Sequence, residues 1–160
     1  MAFHTVVTEM GPARHTLVHC GYMEPERDGS RKGQYRALIV EDDPAIRRLV
    51  EKILSRNNIA IETAGDGNIA IEKLGSNHYS VIILDLMIPE ANGFEVVDFM
   101  RSRNISTPVA VVSAVSQQAL TKLDLDIVKL VISKPFDVDE FTKAVLALCA
   151  EGEEAARHES

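Results

Sequence analysis

The chain has 160 residues, 46% of them hydrophobic, and a formal net charge of −7. That length suits one domain with a real core, and the acidic balance argues against a general nucleic-acid binder, which is normally basic. No apolar run approaches the length that spans a bilayer, and no basic start followed by an apolar stretch marks a secretion signal, so the expected compartment is the cytoplasm.

Three regions separate by composition. Residues 1–35 show no periodicity and are rich in Gly, Pro, Arg, His and Glu, as in EPERDGSRKGQYR; they read as an extension, poorly ordered or only locally docked. Residues 36–150 alternate short apolar runs with amphipathic stretches, and 151–160, EGEEAARHES, form a charged tail. Cys20 and Cys149 are far apart and lack a CxxC spacing, so neither a disulfide framework nor a zinc pattern is expected. His4, His15, His19 and Cys20 match no metal-binding motif. The slight basic lean of the extension suggests docking on an acidic edge of its own domain.

The middle region reads as five repeats of strand and helix. ALIVE (37–41) is a first strand; Asp43 caps the helix that follows, with Pro44 at its first position. Ile46, Leu49, Val50, Ile53 and Leu54 fall on one face at helical spacing. IAIETA (59–64) is a second strand and Asp66 to Leu74 a second helix. SVIILD (80–85) is a third strand, β-branched and apolar enough to be buried on both faces. A third helix runs from Gly93 to about Arg103, and PVAVVS (108–113) is a fourth strand. Ser116 can cap a short fourth helix ending near Lys122. KLVIS (129–133) is a fifth strand, and Asp137 with Glu140 three residues on forms a capping box for a last helix buried through Phe141, Val145 and Leu148.

Alternating strands and helices imply a parallel sheet covered on both faces, with functional groups at the C-terminal edge of the strands. Those ends carry Glu41-Asp42-Asp43, Asp85, Ser113 and Ser133-Lys134-Pro135. If the first strand lies between the second and third, they converge. Crowded carboxylates are costly unless a cation joins them, and their oxygens suit a hard ion such as Mg²⁺. Carboxylate, metal, lysine and hydroxyl are the parts needed to transfer a phosphoryl group to a carboxylate. The alternative is a structural ion-pair cluster. It explains any one of these residues alone better than it explains all of them together.

ALIVEDDPAIRRLV, VIILDLMIPEANGFE, PVAVVSA and SKPF, in this order and spacing, resemble the receiver domain of two-component response regulators over about residues 36–150. The resemblance implies an α/β, flavodoxin-like fold: a doubly wound five-stranded parallel sheet, order 2-1-3-4-5, with helices on both faces. It implies Asp85 as phosphoacceptor from a sensor histidine kinase or histidine phosphotransfer protein. It further implies Mg²⁺ held by Asp42, Asp85 and the backbone carbonyl of Met87, with Glu41 acting through water. Ser113 is then the switch hydroxyl and Lys134 the paired lysine, preceding a cis Lys134-Pro135 bond; Asp43 is assigned to the helix cap. Met87, Ile88 and Val115 flank the pocket, where they either shield a phosphoryl group or simply pack the loops.

Three departures lie in the part that usually signals the phosphorylation state. Val131 occupies the usual aromatic switch position, Asp126-Ile127-Val128-Lys129 replaces a Gly-Ala turn, and the fourth helix with its loops is about a residue short. The charged tail is too short and acidic for a DNA-binding domain. The expectation is a stand-alone receiver without direct DNA or membrane binding, acting through protein contacts on the face of the fourth helix, fifth strand and fifth helix. Rival readings are a degenerate receiver serving as an unphosphorylated binding module, an aspartate-nucleophile phosphatase, and a flavin binder. The phosphatase lacks its second aspartate, since Leu86 and Met87 follow Asp85. In the flavin binder the acidic turn after the first strand would repel a phosphate.

Overall fold

The computed structural model describes residues 35–114, 120, 121, 123, 124 and 126–158, together with the strand at 7–9; for 7–9 and 155–158 only the backbone is described. The elements in chain order are β1 (Val7–Glu9), β2 (Tyr35–Val40), α1 (Pro44–Ser55), β3 (Ile59–Ala64), α2 (Gly67–Ser76), β4 (Val81–Leu84), α3 (Gly93–Ser102), β5 (Val109–Ser113), β6 (Val128–Ser133) and α4 (Val138–His158). The predicted fourth helix, from Ser116, falls largely outside the described residues, as do Val115, Cys20 and the histidines of the extension.

Strands β3-β2-β4-β5-β6 lie side by side and parallel, which is the expected 2-1-3-4-5 order. The sheet does not end there. β1 adds a sixth, antiparallel strand on the outer edge of β6, with Thr8 opposite Val131. The β-branched run Thr5-Val6-Val7-Thr8 is a short strand signal that the aperiodic extension obscured, and it pairs where β6 offers an open row of backbone donors and acceptors. The expected docking of the extension on the acidic edge concerns residues outside those described.

Strand residues alternate between two cores. Leu38, Val40, Ile82 and Leu84 face α2 and α3, whereas Ala37, Ile39, Val81 and Ile83 face α1 and α4. Burial on both sides explains the unbroken apolar runs. Every described helix has a polar side chain at its start. Asp43 Oδ1 accepts from the N–H groups of Ala45 and Ile46 at 2.7 and 3.2 Å, and Asp137 Oδ1 from those of Asp139 and Glu140, both at 2.9 Å. Asp66 and Asn92 do the same for α2 and α3.

Two expectations need correction. Leu49 shares the helical spacing of Val50 and Leu54, but it is 49% exposed while those two are buried. The stripe of α1 is narrower than five residues because only its centre reaches the sheet. The second correction concerns residues 151–158, which continue α4 instead of standing apart as a tail. Glu153 Oε1 accepts from Ser80 Oγ at 2.8 Å, and Gly152 lies so close that an added Cβ would sit 2.4 Å from the Ser80 carbonyl oxygen. Cys149 is buried here, and burial, aided by the charge of Glu153, pushes its thiol up to about 12, as fits an inert reduced cysteine.

At the active edge, α2 begins against the loop that follows β4. The Gly67 N–H donates to the Pro89 carbonyl at 3.3 Å, and a Cβ on Gly67 would lie 1.6 Å from the Ala91 carbonyl oxygen. Gly67→Ala is expected to destabilise the fold by about 1–3 kcal/mol through overpacking. Urea unfolding reads this as a lower midpoint at unchanged slope; an unchanged midpoint contradicts the close approach.

Candidate functional site

Four parallel strands deliver one functional group each, or a pair, to the same edge. Glu41 and Asp42 follow β2, Asp85 follows β4, Ser113 closes β5, and Lys134 follows β6. Backbone bonds hold these ends in step: Glu41 N–H to the Ala64 carbonyl at 3.1 Å, Asp85 N–H to Val40 at 2.9 Å, and Lys134 N–H to Ser113 at 3.2 Å.

Asp85 sits at the centre and is 7% exposed. Its Oδ1 accepts from Ser113 Oγ at 2.8 Å and from the Met87 N–H at 2.9 Å; its Oδ2 accepts from Lys134 Nζ at 2.7 Å. The same ammonium donates to Glu41 Oε2 at 2.6 Å. The second Glu41 oxygen accepts from the Asp43 N–H at 3.2 Å, so Asp43 serves both the turn and the helix cap. The Lys134-Pro135 bond is cis. Met87 stands at the mouth with its side chain 68% exposed, and Ile88 beside it is buried in the core.

These contacts split the two buried carboxyls. Burial pushes Glu41 up, and the bonds from Lys134 and the Asp43 N–H only partly offset it, leaving it above its ordinary value. Burial also pushes Asp85 up, but bonds from Lys134, the Met87 N–H and Ser113 outweigh it, leaving Asp85 below the usual carboxylate value. Burial alone would lower Lys134; its two carboxylate partners raise it instead. The contacts therefore favour an ionised Asp85 beside a protonated Lys134.

One oxygen each of Glu41, Asp42 and Asp85 lies within 4.8 Å of the other two. Three carboxylates against one ammonium leave two negative charges, which a divalent cation balances. The donors are all hard oxygens, and Asp42 is exposed, so an ion held here keeps part of its water shell. The residues present fit Mg²⁺. The Met87 carbonyl, the remaining expected ligand, accepts no hydrogen bond among the described residues.

All the expected side chains are thus brought together, but two features went unseen in the sequence. One is the direct contact of Glu41 with Lys134. The other is Arg47, whose Nη1 donates to the carbonyl oxygens of Glu41 and Asp42 at 2.6 and 3.3 Å. Helical phase could have separated Arg47, which borders the face of Val50 and Leu54 and is half-buried, from the exposed Arg48; its contact with the acidic turn needed the tertiary placement.

Residues 37–146 match the sequence profile of the response regulator receiver domain. The chain belongs to the response regulator receiver family. Among curated relatives, the response regulator ArlR of Staphylococcus aureus is 34% identical over 113 residues, a match covering 69% of this chain and 51% of ArlR. The chain thus spans about half the length of the curated relatives it matches. Among solved structures, the receiver domain of Francisella response regulator 1452 superposes with a TM-score of 0.68 at 29% identity, covering 73% of this chain and 98% of that one. Response regulator TrrA of Thermotoga maritima, solved in complex with Mg²⁺ and beryllofluoride, gives a TM-score of 0.64 at 29% identity, covering 71% and 98%.

Replacing Lys134 by methionine leaves two buried carboxylates without their counterion. The receiver is then expected to lose about 3–5 kcal/mol of stability near neutral pH. Both carboxyls then have folded pKa values above their unfolded ones, so the deficit shrinks as the pH falls through those folded values. In the wild type Asp85 has the opposite sign: its depressed value contributes stability above the ordinary carboxylate range, lost as pH falls through the folded value. Urea unfolding of both proteins at several pH values checks this; a pH-independent deficit contradicts it.

Proposed function

We propose that this receiver takes a phosphoryl group onto Asp85 from the phosphohistidine of a sensor histidine kinase or a histidine phosphotransfer protein. The observation carrying this reading is the convergence on Asp85 of Lys134 Nζ and Ser113 Oγ, one on each carboxylate oxygen, beside the Glu41 and Asp42 carboxylates. Asp42, Asp85 and the Met87 carbonyl would hold Mg²⁺, with Glu41 acting through water. Bound there, the ion supplies charge neutralisation for the phosphoryl oxygens.

The transfer breaks the P–N bond of the donor and forms a P–O bond to a carboxylate oxygen of Asp85; the electron pair of the broken bond stays on the imidazole nitrogen. Asp85 is ionised in the resting site, as a nucleophile must be. Lys134 is a fixed cation that can pass from a carboxylate oxygen to a phosphoryl oxygen, and the Ser113 hydroxyl can do the same as a donor. Because these donors are already aimed at Asp85, little reorganisation opposes the step.

The signal leaves by protein contacts, on the face formed by the residues after β5, β6 and α4. Val131, at the usual place of an aromatic switch, is 5% exposed and packed in the core shared with α3, so no ring reports the phosphorylated state. The movement is assigned to Ser113 and the segment after β5. The buried aliphatic at Val131 also suits the rival reading, a degenerate receiver that binds partners without phosphorylation.

A small-molecule phosphodonor separates the two. Intact mass is expected to rise by one phosphoryl group in the presence of Mg²⁺, and to stay unchanged with a chelator or in Asp85→Asn. A wild-type chain that never gains that mass, while remaining folded, sinks the phosphoacceptor reading.

A further inference from the structure

Glu41 and Asp42 supply two of the three clustered carboxylates, but the structure holds them in different ways. Glu41 is buried and anchored at its carboxylate by Lys134 and by the Asp43 N–H. Asp42 is exposed, and among the described residues nothing donates to its carboxylate. Its position is set by its backbone alone. That backbone is a sharp turn between β2 and α1, and Arg47 spans it.

Arg47 lies one turn into α1, where its own N–H donates to the Asp43 carbonyl at 2.9 Å. Its side chain folds back past the start of the helix, and Nη1 donates to the Glu41 carbonyl at 2.6 Å and the Asp42 carbonyl at 3.3 Å. On its other side the guanidinium rests against the end of β3: a Cβ on Gly65 would lie 3.5 Å from Nη1, in ordinary contact. Among the described residues Arg47 forms no ion pair with any carboxylate. It grips carbonyls and leaves the acidic oxygens open. Lys134 does the reverse.

We propose that Arg47 is a positioning residue for the divalent-cation site, fixing the Glu41-Asp42 backbone so that the Asp42 carboxylate is oriented before an ion arrives. This rests on the Mg²⁺ reading given above. Two effects of opposite sign meet here. A guanidinium near a cation site repels the cation, so removing it should tighten binding. A guanidinium that orders a ligand's backbone lowers the cost of ordering it on binding, so removing it should weaken binding. The geometry favours the second. Arg47 is half-buried, and its hydrogen bonds go to the carbonyls of the two residues that must be held. Lysine keeps the charge but is a point donor without the planar fork.

Mg²⁺ titrations followed by backbone amide shifts, on full-length wild type, Arg47→Ala and Arg47→Lys, test this, with Asp42→Asn as the control for the cation site and thermal unfolding recorded for each. Expected is an approximately tenfold weaker Mg²⁺ affinity in Arg47→Ala, a smaller weakening in Arg47→Lys, and little binding in Asp42→Asn. Amide exchange at Asp43 in metal-free protein is expected to speed up in Arg47→Ala. Equal or tighter Mg²⁺ binding in Arg47→Ala overturns the proposal in favour of simple repulsion. A lowered unfolding temperature with unchanged affinity overturns it in favour of a purely structural role. Unchanged exchange at Asp43 overturns the ordering of the turn. A wild type that binds Mg²⁺ no better than Asp42→Asn removes the cation site itself, and this proposal with it, and is recognised because it appears before any Arg47 variant is compared.

Discussion

One ammonium group organises the active edge. Lys134 Nζ lies 2.6 Å from Glu41 and 2.7 Å from Asp85, and all three side chains are largely buried. Without Lys134 each carboxylate would be costly to bury, by several kcal/mol for an uncompensated charge. Lys134 makes both possible without neutralising either completely. Two carboxylates share one cation, and Asp42 adds a further negative charge at the rim. The cluster keeps an excess of negative charge in a place of restricted solvation. That excess suits a hard divalent cation.

The fold can be understood as the means of keeping these groups in register. They are separated by tens of residues in the chain, yet each stands at or just past the end of a parallel strand. In a parallel sheet every such end lies on the same side. The order β2-β4-β5-β6 then places the acidic turn, Asp85, the Ser113 hydroxyl and the Lys134 ammonium in sequence across that edge. The two apolar layers beneath, one with α1 and α4 and the other with α2 and α3, fix the strands against sliding, since a one-residue slip would exchange the two faces.

This logic explains what could be read in the sequence. Strands buried on both faces announce themselves as apolar runs, and a charged or hydroxyl residue closing such a run is conspicuous; Glu41, Asp85, Ser113 and Lys134 all carry that signal. The caps Asp43 and Asp137 were legible because their chemistry is local. What was hidden depends on tertiary placement. Leu49 matches the apolar period of α1, but exposure depends on how far the helix axis stands from the sheet. Arg47 borders the apolar face of α1 by helical phase and Arg48 does not, but only the tertiary placement shows which carbonyls Arg47 meets. β1 carries only the short β-branched run Thr5 to Thr8, which does not say which edge it completes. Glu153 and Gly152 look like a solvated tail until α4 is seen to carry them under Ser80.

The departures around β6 raise the question of how an altered segment leaves the acceptor geometry intact. The start of the strand reads Asp126-Ile127-Val128-Lys129 where the family has a small turn. Val109 pairs with Val128, but Ala110 pairs with Leu130, so Lys129 is an extra residue that the ladder leaves without a partner. This bulge also explains why Val128 and Val131 face one core while Leu130 and Ile132 face the other. From Leu130 onward the pairing is regular through Ser113 opposite Ser133, and the Lys134 N–H then closes on the Ser113 carbonyl. The irregularity is absorbed roughly 15 Å, about five strand residues, before the active edge. The insertion falls at the start of the strand, whereas Val131 and the β1 partners Leu130 to Ile132 lie in the half that leads to Lys134. The bulge lets the start of β6 vary without shifting the register that sets Lys134 beside Ser113.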